Sequence, residues 1–391
     1  MKLVVKSLLI MSVALATQLS ASAQVVYAGS APAQRAKVTK IDEAKRFAAY
    51  KVAGMLSDRN FAGVVQRELA GQSQPVMLKP LLNEYSATGT QAKAAADTLR
   101  STDQVVRQQK AIAADTGSVM EMRLYTPKNF AGKVDWKNLL VAYPPSNKKN
   151  EYAAVEAFDR HGKSHRLDGR TAPNMPVLVV GINRREAHRA GVALMNRHLQ
   201  MAGMQSKAPT MMAMSSVTPM ATNIETTKLT RIRLDNDEEP WISGAAEVFA
   251  VVSGVQPDQP KATLTIVDMP YLDNDGTDYT PNQILIFWSE YRYGAANVQL
   301  FEHDDNTNYQ SLAVALSQGV TAILGVFAPG YAVIGQVATA ILQAMPANWF
   351  SNDDDYVDTF YTLEKGRTYT GHRGAANNAT ISLAPYTLVE Q

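Results

Sequence analysis

The chain of 391 residues contains no cysteine. Disulfide staples, thiolate metal sites and cysteine nucleophiles are therefore excluded, and an exported chain of this kind has to be held by packing or by non-thiolate ligands. The short patterns of familiar chemistry are missing as well: there is no G-x-S-x-G elbow, no H-E-x-x-H pair, no phosphate loop and no dinucleotide fingerprint. Long apolar runs are also lacking. The two most apolar segments, Leu312 to Leu324 and Tyr331 to Ala344, are broken at Ala328-Pro329-Gly330, and each falls short of the ~20 residues that a membrane span needs. Formal charge vanishes from Asn306 to Asn352.

What is present begins with an export signal. Lys2 and Lys6 precede an apolar stretch from Leu8 to Ala16, and Ala21-Ser22-Ala23 forms a small-residue cleavage site. Residues 1–23 therefore read as a signal peptide, and the product as exported, periplasmic or extracellular. The net charge of +2 conceals a strong asymmetry. From Gln24 to Arg233 there are 31 Lys and Arg against 16 Asp and Glu, and from Leu234 to Gln391 there are 5 against 20. Such halves dock on one another, or the basic half meets an anionic envelope component, or the acidic half collects cations. Nucleic acid and membrane are the disfavoured partners.

Hydrophobic periodicity gives an α+β fold class. Residues 24–118 are mostly helical, with Phe47, Tyr50, Val52, Met55 and Leu56 near a 3.6-residue period. Residues 119–199 form a small β-rich region with strands at Met120 to Tyr125, Leu139 to Tyr143, Tyr152 to Phe158 and Pro176 to Val180, and then a basic helical stretch from Gly181 to Leu199. His161, His165, Asp159 and Asp168 lie within ten residues there. They suggest either a transition-metal site or a hairpin tip, and the flanking Arg160, Lys163, Arg166 and Arg170 favour the hairpin. Residues 200–226, rich in Met, Ser and Thr, read as a linker rather than a soft-metal site. Residues 227–391 read as an antiparallel β-sandwich carrying a two-helix insertion at 309–345.

In that sandwich the strands at Lys228 to Leu234, Ala262 to Met269 and Val298 to His303 each lead into an acidic loop. If successive strands alternate in direction, odd-numbered connections share one end, which gathers Asp235, Asp237, Asp273, Asp275, Asp278, Glu302, Asp304 and Asp305. A helical excursion that returns to the same end adds Asp354. Clustered carboxylates and amides are the ligand set of a hard cation, so these residues predict a calcium site. It is not an EF-hand, because Gly276 in the sixth loop position puts Tyr271 first and Asn282 twelfth. His303, beside Glu302 and Asp304, reads as a neighbour of that site rather than a catalytic base.

The stretches Trp241 to Phe249, Met269-Pro270-Tyr271-Leu272-Asp273 and Phe301-Glu302-His303-Asp304-Asp305-Asn306 resemble an uncharacterised family of secreted proteobacterial proteins, the domain of unknown function 3103. Ala157-Phe158-Asp159 through Leu167-Asp168 to Pro176–Val180 is similar to its first half. That resemblance implies export and no particular activity. The C-terminal half is also loosely similar to C2-type calcium sandwiches, from which its helical insertion departs. The sequence thus predicts an exported protein with a calcium-binding sandwich. A secreted metal-dependent hydrolase and a protein inserting into membranes through residues 312–344 are the alternatives.

Overall fold

The computed structural model describes residues 39–71, 74–112, 116–145, 154–205, 223–235, 241–243, 247–258, 261–303, 305–323, 332–345 and 356–389. The first helices follow from capping and patterning. Thr39 caps α1 (Lys40–Met55) by accepting the Asp42 N–H at 3.1 Å, and the buried Ile41, Ala44, Ala48, Val52 and Ala53 form one stripe along it. Asp58 caps α2 (Arg59–Leu69) in the same way. The short α3 (Leu78–Ser86) and the long α4 (Thr90–Lys110) complete this layer.

The helices cover one face of a six-stranded mixed sheet. Its strands are β1 (Val76–Met77), β2 (Met120–Tyr125), β3 (Leu140–Ala142), β4 (Val155–Phe158), β5 (Ser164–Leu167) and β6 (Val177–Ile182), in the order β1-β2-β6-β3-β4-β5. Only the β3–β6 pair is parallel among these strands. Alternation along β2 buries Met120 and Met122 in the core shared with the helices, whereas Glu121 and Arg123 project to the other face. That division places the site.

The chain then forms α5 (Arg184–Met201). Asn183 accepts the Glu186 N–H at 2.8 Å in an N-x-x-E box, so the helix starts where the carboxamide satisfies an otherwise orphaned donor. Two four-stranded antiparallel sheets follow. The first orders β10 (Gln283–Phe287), β7 (Ile224–Leu234), β14 (Ala379–Leu388) and β13 (Tyr369–Arg373). The second orders β12 (Tyr356–Glu364), β11 (Ala295–Glu302), β8 (Val248–Val255) and β9 (Ala262–Asp268). Leu229, Ile232 and Ile381 of the first sheet share a core with Ala250, Val252, Val298 and Leu300 of the second. The sequence therefore predicts the α+β class correctly, with antiparallel sheets in its C-terminal half.

Strands β8 and β11 are buried at every position. Their opposite faces carry Phe249, Val251 and Phe301, which join the N-terminal core together with α6 (Tyr309–Ile323) and α7 (Ala332–Ala344). The helical insertion is thus a third layer on the sandwich. Asn297 and Gln299 of β11 donate to the Ile334 and Ala338 carbonyls of α7 at 2.7 and 3.1 Å, which gives each buried side-chain NH₂ an acceptor. Among the described residues no helix is long and apolar enough to cross a membrane.

Strand β8 starts at Val248, and Ser243, ahead of it, lies in a turn. Of the linker expected at 200–226, Met201 ends α5 and Ile224 begins β7; residues 206–222 lie outside the described residues, as does the signal peptide.

Candidate functional site

A cleft of about 470 Å³ opens where the free face of β2, the start of α5 and the end of the second sheet meet. Several short segments line it, Gln74-Pro75 among them, and none carries a recognisable motif. Strand β2 contributes Glu121 and Arg123, α5 contributes Arg184, Arg185 and His188, the segment before β8 contributes Ser243 and Glu247, and the end of β9 contributes Asp268 with Asp273 beyond it. Arg184 and His188 are four residues apart, one helical turn, so α5 turns both toward the same wall. Arg123 donates to the carbonyls of Trp241 (3.1 Å) and Ile242, which fastens the segment carrying Ser243 over the sheet.

Two acid–base groups stand in this cleft. Glu121 accepts a hydrogen bond from Asn183 Nδ2 at 2.7 Å. Burial pushes its carboxyl up to about 7, against the opposing pull of Arg123, Asn183 and Arg184. His188 is 2% exposed, and its Nε2 lies 3.0 Å from Asp268 Oδ1, at ion-pair distance but off the line of a hydrogen bond. Arg185, at the rim, is loosely held, with Asp273 3.8 Å away and the Pro270 carbonyl at 3.4 Å. Burial also raises the Asp273 carboxyl, with Arg185 opposing.

The Glu121 shift has a measurable consequence. A carboxyl whose pKa rises from its ordinary value of 4.5 to about 7 on folding binds its proton more tightly in the native state. Its contribution is full below about pH 4.5 and is lost as pH rises through 7, a change of order 3 kcal/mol. Wild type is therefore expected to lose melting temperature across that window relative to Glu121→Gln. Parallel Tm–pH curves for the two proteins would contradict the shift.

Behind the cleft lies a buried ionic cluster. Asp305, 3% exposed, receives Lys45 Nζ at 2.6 Å and Arg184 Nε at 3.2 Å. Burial alone would raise its carboxyl, but Lys45, Arg184 and Lys110 together hold it far below the usual carboxylate range. Thr39 donates to Asn306 Oδ1 at 2.9 Å, tying the same loop to the cap of α1.

The acidic residues singled out in the sequence fall at different places. Asp235 pairs with Arg373 at 2.6 Å and Arg233 at 3.7 Å, and Asp278 pairs with Arg231 at 2.7 Å. Asp273 faces Arg185, Asp275 is exposed, and Glu302 and Asp305 are buried. Asp237, Asp304 and Asp354 lie outside the described residues. Connections after the strands do meet, since Gly276 N donates to Leu234 O and His303 N to Glu247 O. Yet among the described residues no group of three or more His, Asp or Glu is placed to hold a metal ion.

The β4–β5 hairpin holds the other sequence candidates. Asp159 contacts His165 Nε2 at 3.0 Å and accepts the backbone N–H groups of Lys163 and His161; the His165 contact first, then these N–H groups, lower its carboxyl to about 2. Asp168 instead accepts from Arg170 and Thr171. These contacts build a turn. Glu121, His188 and Asp268 form no sequence motif, because they come from three elements far apart in the chain. The available signals were the lone charged pair Glu121 and Arg123 on one face of a strand, and the Arg184–His188 spacing.

Residues 49–391 match the family model described as Protein of unknown function (DUF3103). No curated protein and no solved structure matches the chain, so the likeness of its C-terminal half to C2-type sandwiches finds no support there.

Proposed function

The chain belongs to this DUF3103 family, whose description assigns no activity, so its role has to be argued from the cleft, and we propose that the cleft is the active site of an acid–base hydrolase. The observation that carries this reading is the meeting, in one cavity, of a carboxyl raised to about 7 with a buried histidine paired to an aspartate. Hydrolysis needs one group to take a proton from water and another to give one to the leaving atom. Two titratable groups in contrasting environments supply such a pair.

In this reading His188 is the proton acceptor, with the Asp268 carboxylate 3.0 Å from its Nε2. Glu121, near half-protonation at neutral pH, is the proton donor. Arg184 and Arg185 face developing negative charge from the first turn of α5, where the helix dipole has the same sign. The cleft has a volume in the range of small-molecule sites, and its mostly polar and charged lining suits a polar substrate. Export to the periplasm or medium belongs to the same proposal, supported by the composition of residues 1–23.

Purified protein should hydrolyse at least one member of an ester, phosphate and peptide panel. Glu121→Gln and His188→Asn should each lower kcat by about 10²-fold or more with the fold intact. Inactivity across the panel, or turnover untouched by both substitutions, would overturn the assignment. A parallel arm with chelator and with millimolar calcium separates the ion reading. Calcium bound by the loops of Asp237, Asp304 and Asp354 would raise Tm without depending on Glu121 or His188.

A further inference from the structure

The inner wall of the cleft carries polar side chains whose hydrogen bonding is unmet. Ser243 is 8% exposed and His188 2%, and both line the cavity. Among the described residues, neither the Ser243 hydroxyl nor either ring nitrogen of His188 has a hydrogen-bond partner. Asp268 Oδ1, on the same wall, accepts no hydrogen bond either, with His188 Nε2 3.0 Å away but off line. Buried polar side chains are ordinarily paired, so three unmet ones on the wall of one cavity point to a ligand.

Their chemistry restricts what that ligand is. A carboxylate oxygen takes donors, whereas a hydroxyl and an imidazole each give and accept. A ligand that displaces water from this wall has to bring donors and acceptors side by side, as the N–H and C=O of an amide do. The charges restrict it further. At the mouth, Arg185 and Asp273 face one another 3.8 Å apart, beyond hydrogen-bond reach, with side chains 63% and 36% exposed. The other two arginines of the cleft are engaged, Arg184 with Asp305 and Arg123 with backbone carbonyls. A simple anion such as phosphate would meet Arg185 and the positive end of α5 but stand against Glu247, Asp268 and Asp273. A simple amine would meet those acids and stand against the arginines. A ligand with one charge of each sign matches both walls.

We infer that the substrate of this cleft is a short zwitterionic peptide, with its carboxylate at Arg185, its ammonium at Asp273, and its amide against Ser243, His188 and Asp268. This names the substrate class of the acid–base site proposed above and rests on that reading. His188 takes a proton from water, the hydroxyl adds to the amide carbon, Glu121 gives its proton to the leaving nitrogen, and the C–N bond breaks to give two amino acids. Return of the proton from His188 to Glu121 through solvent resets the site.

The test is binding, measured by titration calorimetry on the full chain carrying Glu121→Gln, which holds a peptide without turning it over. The probes are alanyl-alanine, its N-acetyl form, its C-terminal amide and inorganic phosphate. Alanyl-alanine should bind at least about tenfold more tightly than each of the others, the scale of one hydrogen bond to a charged group. Adding Arg185→Gln should remove the preference over the C-terminal amide, and adding Asp273→Asn the preference over the N-acetyl form. Equal binding of free and blocked dipeptides, tighter binding of phosphate, or no binding of alanyl-alanine at millimolar concentration would overturn the inference. Selective binding of the zwitterion by a wild-type chain that hydrolyses no peptide keeps the ligand class and rejects the hydrolase. Turnover of esters or phosphates without dipeptide binding does the reverse.

Discussion

Asp305→Asn is expected to cost about 3–5 kcal/mol of stability, the largest loss from any single substitution near the cleft. Asp305 is the carboxylate that Lys45 and Arg184 share, and Lys110 stands in the same buried field. Lys45 is 0% exposed and Lys110 2%. An amide in place of the carboxylate leaves these cations buried with their main compensating charge gone. Desolvation already lowers the Lys110 ammonium below its ordinary pKa, so part of the loss is relieved by its deprotonation. Because the Asp305 pKa is depressed, the stability it contributes is present above the ordinary carboxylate range and is lost as pH falls below it. That sign is opposite to the one for Glu121. Urea denaturation at pH 7 checks the magnitude, and a difference under about 1 kcal/mol would show that Asp305 is not the anchor. A Lys45→Met, Asp305→Leu pair should recover only the part of the loss that belongs to Lys45, because the Arg184 and Lys110 charges remain.

This cluster also explains why the charge asymmetry was legible in the sequence and its destination was not. The surplus of Lys and Arg in the first half and of acids in the second is a matter of counting. Which acids meet which bases depends on a β-sandwich end arriving beside α1 and α5, and nothing local encodes it. Lys45 reads as an ordinary helical lysine, yet its neighbours Ala44, Ala48 and Ala49 put it on the buried stripe. Strands were legible in β6, whose continuous apolar run reflects cover on both faces, and in β11, where apolar residues alternate with Asn297 and Gln299. The polar edge strand β13 carried no such run, and the sequence reading passed over it. Carboxylate clusters drew attention to loops, whereas Glu121 and Asp268 sit singly at strand positions and become a site only through the fold.

The second large effect is expected at Asp358. It lies on β12, 0% exposed, opposite Leu300 of β11. Its Oδ1 accepts the N–H groups of Thr359 (2.8 Å) and Ala376 (2.7 Å), and its Oδ2 those of Asn378 (2.9 Å) and Ala379 (2.7 Å). One carboxylate in one sheet therefore gathers the turn that joins β13 to β14 in the other. Within that turn Asn377 takes a left-handed φ of 64°, and a Cβ at Gly374 would fall 2.1 Å from Asp358 Cγ, so glycine is needed for the turn to close over the carboxylate. Hydrogen bonds to a charged acceptor are each worth about 1.5–3 kcal/mol, and an amide at this position would point donors at donors. Asp358→Asn should thus cost about 3–5 kcal/mol. Gly374→Ala should destabilise by clash at the same place. Amide hydrogen exchange gives the decisive measurement, because the N–H groups of Ala376, Asn378 and Ala379 should lose protection first in Asp358→Asn. Wild-type protection at those three amides would show that the turn holds without the carboxylate. The sandwich would then rest on its apolar core alone.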